Sequence, residues 1–145
     1  MKMAILVIAM LVFANQTLFE QLKEKCELSK NEYLIVIFQT PGNCVKCFIE
    51  PMDLVELIKK NSLGINYKLM ALVSVEREIE LKVFQKENDW KHYMLVDDGN
   101  ARKDLGAKGI AMMIILDSRG KIMAEFLPNQ YDKNIEKAKK FVKSR

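Results

Sequence analysis

The segment of residues 33–60 constrains this chain most, because it joins two closely spaced cysteines to a strand pattern and a helix pattern. The apolar, largely β-branched run LIVIF at 34–38 is typical of a strand that is covered on both faces. The TPGN sequence that follows ends this strand, since proline, glycine and asparagine favour turns. Apolar residues recur at helical spacing from Phe48 onward, which predicts Cys44 and Cys47 at the start of a helix.

The position of this cysteine pair predicts a thiol redox centre. The positive end of the helix dipole and the neighbouring Lys46 are expected to lower the pKa of the Cys44 thiol. Cys44, the more exposed N-terminal member, then attacks a substrate disulfide as the thiolate, and Cys47 resolves the mixed disulfide. A disulfide with only a structural role is the alternative interpretation of the same pair.

The first fourteen residues predict a secretory signal peptide. Lys2 gives a positive start, residues 4–13 form an uninterrupted apolar run, and cleavage is expected after Ala14. The run is too short for a membrane anchor, which needs about 20 residues, and a buried first strand is the alternative. We therefore expect an exported domain of residues 15–145, in the periplasm or on the extracellular side of the envelope, without a stable membrane span after cleavage. Loss of Lys2 changes the net charge of +4 by one, to +3.

The composition is that of an ordinary globular domain and points to no charged macromolecule as a partner. Half of the residues are hydrophobic and 29% are charged, with both signs mixed along the chain. The basic residues at 137–145 are interpreted as the solvated face of a last helix, so we predict no nucleic-acid binding. The sequence also contains no glycine-rich phosphate loop.

The remaining segments alternate between helical and strand patterns. A helix is predicted over 15–30, with Cys26 buried on its apolar face as a small hydrophobe. A charged helix at 76–88 is predicted to bury Ile79, Val83 and Phe84. The other predicted elements are strands at 65–75, 93–96, 109–116 and 121–126, one or two helical turns at 100–105, a hairpin turn at 117–120 and a helix from about residue 132. This order predicts a mixed central sheet with helices on both sides.

Two segments resemble the thioredoxin superfamily, in particular its exported TlpA-like and ResA-like thiol-disulfide oxidoreductases. The first is the strand, turn and CVKC helix at 35–58, and the second is LVDDGNARKDLGAKGIAMMIILDSRGKI at 95–122. The resemblance implies an α/β fold of the thioredoxin-like type, a three-layer sandwich whose central mixed β-sheet is flanked by helices. It also implies a monomer without cofactor or metal, whose partners are protein thiols and disulfides in the cell envelope and a redox partner protein.

Four positions depart from the pattern of this family. Asn43 stands where the family has a tryptophan before the first cysteine, and Phe38 stands where many thioredoxins have a buried acid. Pro51 comes one residue earlier than the usual helix proline, and it is expected to kink the helix because it lacks a backbone donor. Ala111 aligns with the cis-proline that faces the two sulfurs.

Two loops complete the predicted site around the cysteine pair. Pro41, Asn43 and Lys46 form the active-site loop that tunes the pKa of the cysteines, and the loop from Ile110 through Ala111 to Met112 faces the substrate. We expect a trans peptide bond before Ala111, because a non-proline cis bond costs about 3 kcal/mol.

Two other functions use the same residues. A non-catalytic thioredoxin-like module would dock another envelope protein and keep the disulfide only as a clamp. A Cu(I)-binding envelope protein would use the cysteine pair with Met112 or Met113 and His92, since thiolates and thioethers are soft ligands. Zinc held by Cys26, the cysteine pair and His92 is less favoured, because these ligands lack a second paired spacing.

Overall fold

The structure is a computed structural model that describes residues 16–42, 46–61 and 64–145. The predicted signal peptide, Asn43 and Cys44 lie outside the described residues. The described elements, in chain order, are α1 (Leu18–Lys25), β1 (Glu32–Gln39), α2 (Lys46–Asn61), β2 (Asn66–Val73), α3 (Glu78–Glu87), β3 (Tyr93–Val96), α4 (Ala101–Asp104), β4 (Met113–Leu116), β5 (Ile122–Phe126) and α5 (Tyr131–Lys143).

The strands form one mixed sheet in the order β3-β2-β1-β4-β5. The β1 strand pairs in parallel with β2 and antiparallel with β4, so that Val36 lies between Met70 and Ile114. The outer pairs follow the same division, with β3 parallel to β2 and β5 antiparallel to β4. The continuous apolar run of β1 is explained by this central position, since both of its faces are covered. The predicted mixed sheet is confirmed.

The central strand divides the core in two, because its side chains alternate between the faces of the sheet. Leu34, Val36 and Phe38 pack with α1 and α4, whereas Ile35 and Ile37 pack with α2, α3 and α5. The helices supply the outer layers through side chains that are almost fully buried: Leu22, Ala101 and Leu105 on the first face, and Leu54, Val55, Ile58, Phe84, Ala138 and Phe141 on the second. The result is the predicted three-layer arrangement of helices, sheet and helices.

Local hydrogen bonds set the ends of several elements. The Thr17 hydroxyl accepts from the Glu20 backbone N–H, and the Glu20 carboxylate accepts from the Thr17 N–H, so a capping box begins α1 at Leu18. This helix is shorter than the predicted 15–30 and ends at Lys25, and the next residue, Cys26, is buried as expected. The turn at 117–120 forms as predicted, with the Asp117 carboxylate accepting from the Arg119 and Lys121 N–H groups.

The α3 helix turns a different face inward from the one predicted. Ile79 and Val83 are 62% and 46% exposed, whereas Phe84 is 3% exposed and Leu81 packs against the core. Because an α-helix has 3.6 residues per turn, α3 carries two apolar stripes, one formed by residues 79 and 83 and the other by residues 81 and 84. The prediction that Ile79 and Val83 are buried was wrong, because the second stripe is the one that meets the sheet.

The fourth strand begins later than predicted. It starts at Met113, because residues 109–110 form a turn and the Ala111 N–H donates to the Lys108 carbonyl at 3.0 Å. The bond before Ala111 is trans as expected, since the described residues contain no cis peptide bond. In the described part of the chain, no helix is both long and apolar enough to cross a bilayer.

Candidate active site

The structure places Cys47, the described cysteine of the predicted pair, at the start of a helix. Cys47 is the second residue of α2 and is exposed, as is Lys46 before it. The connection from β1 to α2 is short, so α2 begins beside the end of the central strand. Cys44 precedes the described start of α2 by two residues, and its own placement stays a prediction.

The Gln39 side chain contacts the first turn of α2 directly. Gln39 is the last residue of β1 and is only 7% exposed, and its Nε2 donates to the Cys47 carbonyl oxygen at 2.7 Å. Its own backbone is fixed, because its carbonyl accepts from the Ser74 N–H at 2.8 Å. A buried polar side chain therefore joins the end of the central strand to the backbone of the cysteine.

The first turn of α2 contributes Phe48 to a cluster of three aromatic rings. The Phe48 ring lies 6.1 Å from the Phe84 ring and 6.2 Å from the Trp90 ring, centroid to centroid, in edge-on geometry. The Trp90 indole N–H donates to the Tyr93 carbonyl at 3.2 Å, so its polar group is satisfied. Such edge-on pairs add about 0.5–1.5 kcal/mol each to the energy of burial. The first turn of α2 is thus packed against the core through Phe48.

Two clefts open beside the predicted active-site loop. Thr40, Pro41 and Gly42 line both, and Gly42 has φ +82°, a conformation that favours glycine. The smaller cleft, about 250 Å³, also contacts Phe48 and Ile49. The larger, about 650 Å³, is acidic and is lined in addition by Ser74, Val75, Glu76, Glu80, Val83, Glu87, Asp97, Asp98 and Gly99.

One carboxylate of the acidic cleft has a perturbed pKa. Backbone N–H groups of Glu76 and Arg77 donate to the Glu80 carboxylate, at 2.9 and 3.4 Å. These bonds lower the pKa of the Glu80 carboxyl from its ordinary value, because they stabilise the ionised form. Glu80 therefore stays ionised further into acidic solution than an ordinary glutamate does.

The predicted substrate-facing loop lies on the other side of the β1 end. Ile110 is 64% exposed, whereas Ala111 and Met112 are buried. The Met112 N–H donates to the Phe126 carbonyl at 2.9 Å, and the Met112 carbonyl accepts from the Phe38 N–H at 3.0 Å. Only Ile110 of the three predicted loop residues therefore presents a large exposed side chain.

Arg102 holds this loop from α4. Its Nε donates to the Ala111 carbonyl at 2.7 Å, and its guanidinium lies 4.4 Å from the centroid of the Phe38 ring. The nearest acid is Asp97, whose Oδ2 lies 3.9 Å from Nη1 and whose side chain is 2% exposed. Burial lowers the pKa of the Arg102 guanidinium, and Asp97 opposes that shift. Phe38 thus faces Arg102, on the side of the sheet away from α2.

The residues of the metal hypotheses are distributed over several parts of the fold. Met113 is fully buried in β4, and the exposed His92 lies edge-on to Trp90, 5.1 Å between centroids. Cys26 packs on the α1 side of the sheet, with its sulfur 4.0 Å from that of Met70, so a zinc site with Cys47 would need ligands from both faces. The described residues contain no group of three or more His, Cys, Asp or Glu side chains that could hold a metal ion.

Sequence reasoning missed Gln39 and Arg102, the two side chains that bond to the backbone around the site. A polar residue directly after an apolar strand run was a signal for Gln39, since a buried amide needs a partner. No comparable signal existed for Arg102, because its partners Phe38 and Ala111 come together only in the folded chain.

Solved structures match this architecture over most of the chain. The thioredoxin domain of a thiol-disulfide oxidoreductase from Bacteroides vulgatus is 22% identical, and the match covers 78% of this chain and 81% of that one with a TM-score of 0.53. An uncharacterized thioredoxin-like protein from Porphyromonas gingivalis is 21% identical, with 80% and 79% covered and a TM-score of 0.56. The exposed lipoprotein thioredoxin of Streptococcus pneumoniae is 20% identical, with 80% and 87% covered and a TM-score of 0.54.

This chain has the thioredoxin fold. The resemblance predicted from the sequence is thereby confirmed for the fold. Neither a protein-family model nor a curated protein sequence matches the chain at a significant level. Within this thioredoxin fold, Cys47, the 40–42 turn and the 110–112 loop all lie at one end of the central strand.

Proposed function

We propose that this protein is a thiol-disulfide oxidoreductase that exchanges disulfides with protein substrates through Cys44 and Cys47. The observation that carries the proposal is the exposed position of Cys47 in the first turn of α2, directly after the central strand of a thioredoxin fold. Similar folds include proteins described as thiol-disulfide oxidoreductases from Bacteroides vulgatus. A cysteine two residues before a helix start is also well placed for thiolate stabilisation by the helix dipole.

The reaction consists of two exchanges of sulfur partners. The Cys44 thiolate attacks one sulfur of the substrate disulfide, a mixed disulfide forms, and the second substrate sulfur leaves as a thiolate that takes up a proton. The Cys47 thiolate then attacks the Cys44 sulfur and releases the other substrate thiol. The substrate gains two electrons and two protons, and the enzyme pair becomes a disulfide. The same steps in reverse oxidise a substrate dithiol.

The other predicted site residues have supporting roles in this scheme. Lys46 and the turn containing Pro41 and Asn43 would tune the pKa of Cys44. The loop from Ile110 to Met112 would receive the substrate segment, with Ile110 as its exposed apolar contact. We propose a monomer that acts on protein thiols and disulfides together with a separate redox partner, and sedimentation analysis of the purified protein tests the monomer.

The central experiment measures turnover and the reduction potential of the cysteine pair. We expect the protein to catalyse insulin reduction by dithiothreitol, and we expect Cys44→Ser to lower this rate by about a hundredfold or more. Cys47→Ser should accumulate the mixed disulfide, whereas the control Cys26→Ser should keep the wild-type rate. Wild-type activity equal to that of Cys44→Ser would refute the proposal.

A redox titration with a mass-tag readout then assigns the direction of electron flow. A reversible two-electron transition near roughly −270 mV would identify a reductant, and one near about −120 mV would identify an oxidant. A pair that never forms a disulfide, or that stays oxidised at every accessible potential, would refute the enzymatic function and favour the docking or Cu(I) hypothesis.

We also propose that residues 1–14 are a signal peptide and that residues 15–145 are the exported thioredoxin-like domain. The positive start, the apolar run and Ala14 support this, and one similar fold is described as an exposed lipoprotein. Mass spectrometry of the protein from the cell envelope should give a chain that begins at Asn15. A full-length chain found only in the cytosol would contradict export.

A further inference from the structure

Helix α2 contains a proline at the position whose backbone N–H would normally bond to the Cys47 carbonyl. In an α-helix, the carbonyl of each residue accepts from the N–H of the fourth residue that follows. The fourth residue after Cys47 is Pro51, which lies inside α2 and has no N–H. The helix therefore cannot offer the Cys47 carbonyl its usual partner.

Gln39 supplies a donor at this position from outside the helix. Its Nε2 lies 2.7 Å from the Cys47 carbonyl oxygen, a short distance for an amide donor. The Gln39 residue is 7% exposed, so little water competes for the bond. Its backbone is anchored by the Ser74 N–H and by the parallel pairing of Gln39 with Val73. The donor is thus held rigidly at the end of the central strand.

We propose that Gln39 is a positioning residue for Cys47. Its amide replaces the donor that Pro51 lacks and fixes the first turn of α2 in the geometry that the attacking Cys47 sulfur requires. The inference rests on the proposed function, since that function assigns Cys47 the resolving role.

The physical reason lies in the second exchange step. Cys47 must approach the Cys44 sulfur along a narrow range of directions, and orientation of this kind strongly controls the rate of an intramolecular reaction. A first turn without its carbonyl bond frays, because helix ends already lack some of their partners. The amide donor also places partial positive charge beside the residue that becomes a thiolate. Attack by Cys44 on a substrate needs neither effect from Gln39.

The test compares two rate constants in the full chain. Gln39→Met keeps an unbranched side chain of similar length but removes the donor. We expect it to slow the release of thiol from a preformed mixed disulfide with a fluorescent peptide by about tenfold. Attack by the reduced protein on a small aromatic disulfide should stay within about twofold of wild type. The matched control is Gln85→Met, on the exposed part of α3, and neither rate should change.

A second substitution distinguishes positioning from simple damage. Pro51→Ala restores a backbone N–H at the fourth residue after Cys47, so the Gln39→Met/Pro51→Ala double variant should regain a release rate within about threefold of wild type. The urea midpoint should follow the same pattern, with a loss of roughly half a molar unit in Gln39→Met that the double variant recovers.

Each other result overturns the proposal. An unchanged release rate in Gln39→Met, or a parallel fall of both rates that Pro51→Ala does not restore, excludes a positioning role. If wild type exchanges no disulfide at all, the proposed function fails and the positioning role fails with it. In that case recovery of the urea midpoint would identify the Gln39–Cys47 bond as purely structural, so the two failures are distinguishable.

Discussion

Two backbone carbonyls beside the end of β1 accept hydrogen bonds from partly or fully buried side chains, and the two donors differ in charge. The Cys47 carbonyl is held by the neutral amide of Gln39, and the Ala111 carbonyl by the guanidinium of Arg102, each at 2.7 Å. The amide needs no further partner for charge, whereas the guanidinium is accompanied by a buried carboxylate and an aromatic ring. On the cysteine side of the β1 end, around Cys47, the bond is made by a neutral group. On the loop side, around Ala111, the bond depends on a charged group that is partly removed from water.

The packing beneath the two sides differs as well. The cysteine side packs against the aromatic cluster of Phe48, Phe84 and Trp90, while on the loop side the Arg102 guanidinium lies over the single ring of Phe38. Removal of an aromatic ring should therefore damage the first side, and removal of charge should damage the second. Substitutions on the two sides should therefore differ in their effect on stability.

Truncation of Phe84 tests the aromatic support of the cysteine side. Phe84→Ala should lower the free energy of unfolding by about 3–5 kcal/mol, because it leaves a cavity beneath Phe48 and Trp90. The neighbouring Val83→Ala, at an exposed position of the same helix, should change it by less than about 0.5 kcal/mol. Urea denaturation measures both variants, and equal losses would show that the two stripes of α3 are buried alike.

Removal of the Arg102 charge tests the loop side. Arg102→Met should lower the free energy of unfolding by about 2 kcal/mol, roughly twice the loss for Gln39→Met, because it leaves the Ala111 carbonyl without its donor and the buried Asp97 carboxylate without its nearby cation. Lys103→Met removes the same charge from an exposed neighbour and should be nearly neutral. A loss no larger than that of Gln39→Met would erase the distinction between the two sides.

Mild acid should lower the stability of the chain through His92, which lies against the aromatic cluster of the cysteine side. Burial lowers the pKa of His92, beside Trp90, so the folded chain binds a proton less readily there than the unfolded chain does. Stability associated with neutral His92 is present above the unfolded value of about 6.5 and is lost as the pH falls through and below it. Solvent screening limits the effect to about a few tenths of a kcal/mol. His92→Gln should make the urea midpoint depend less on pH between about pH 7 and pH 5. A pH dependence equal to that of wild type would exclude His92 as the cause.

The parts of the fold that could be predicted are those with a local signal. The β1 strand, the 117–120 turn and the burial of Cys26 follow from neighbouring residues alone. The inward stripe of α3 could not be predicted, because its two apolar stripes are equivalent until the helix meets the sheet. The same holds for the loop before β4, whose bonds to Phe126 and Arg102 depend on the assembled sheet.

The candidate site divides in the same way. Cys47, Pro41 and Lys46 are identified by sequence spacing, and the structure places them at the end of β1 and the start of α2. The missing donor of Pro51 could also be predicted from sequence, but the residue that replaces it could not. Gln39 lies eight residues before Cys47 in the sequence, and the 2.7 Å contact between its amide and the Cys47 carbonyl exists only in the folded chain.

The position of Cys26 has a consequence for how the proposed Cys44–Cys47 disulfide would form. Its thiol is 1% exposed on the far face of the sheet, and burial raises its pKa, so in the folded chain it reacts slowly with oxidants. Cys26 can form a disulfide with another cysteine only while the chain is still unfolded. If the protein is exported to an oxidising compartment as proposed, a chain that folds before it meets an oxidant keeps Cys26 away from the other cysteines, whereas a chain that is oxidised first can form the wrong pairs. The timing of folding relative to oxidation then decides the yield of correctly bridged protein.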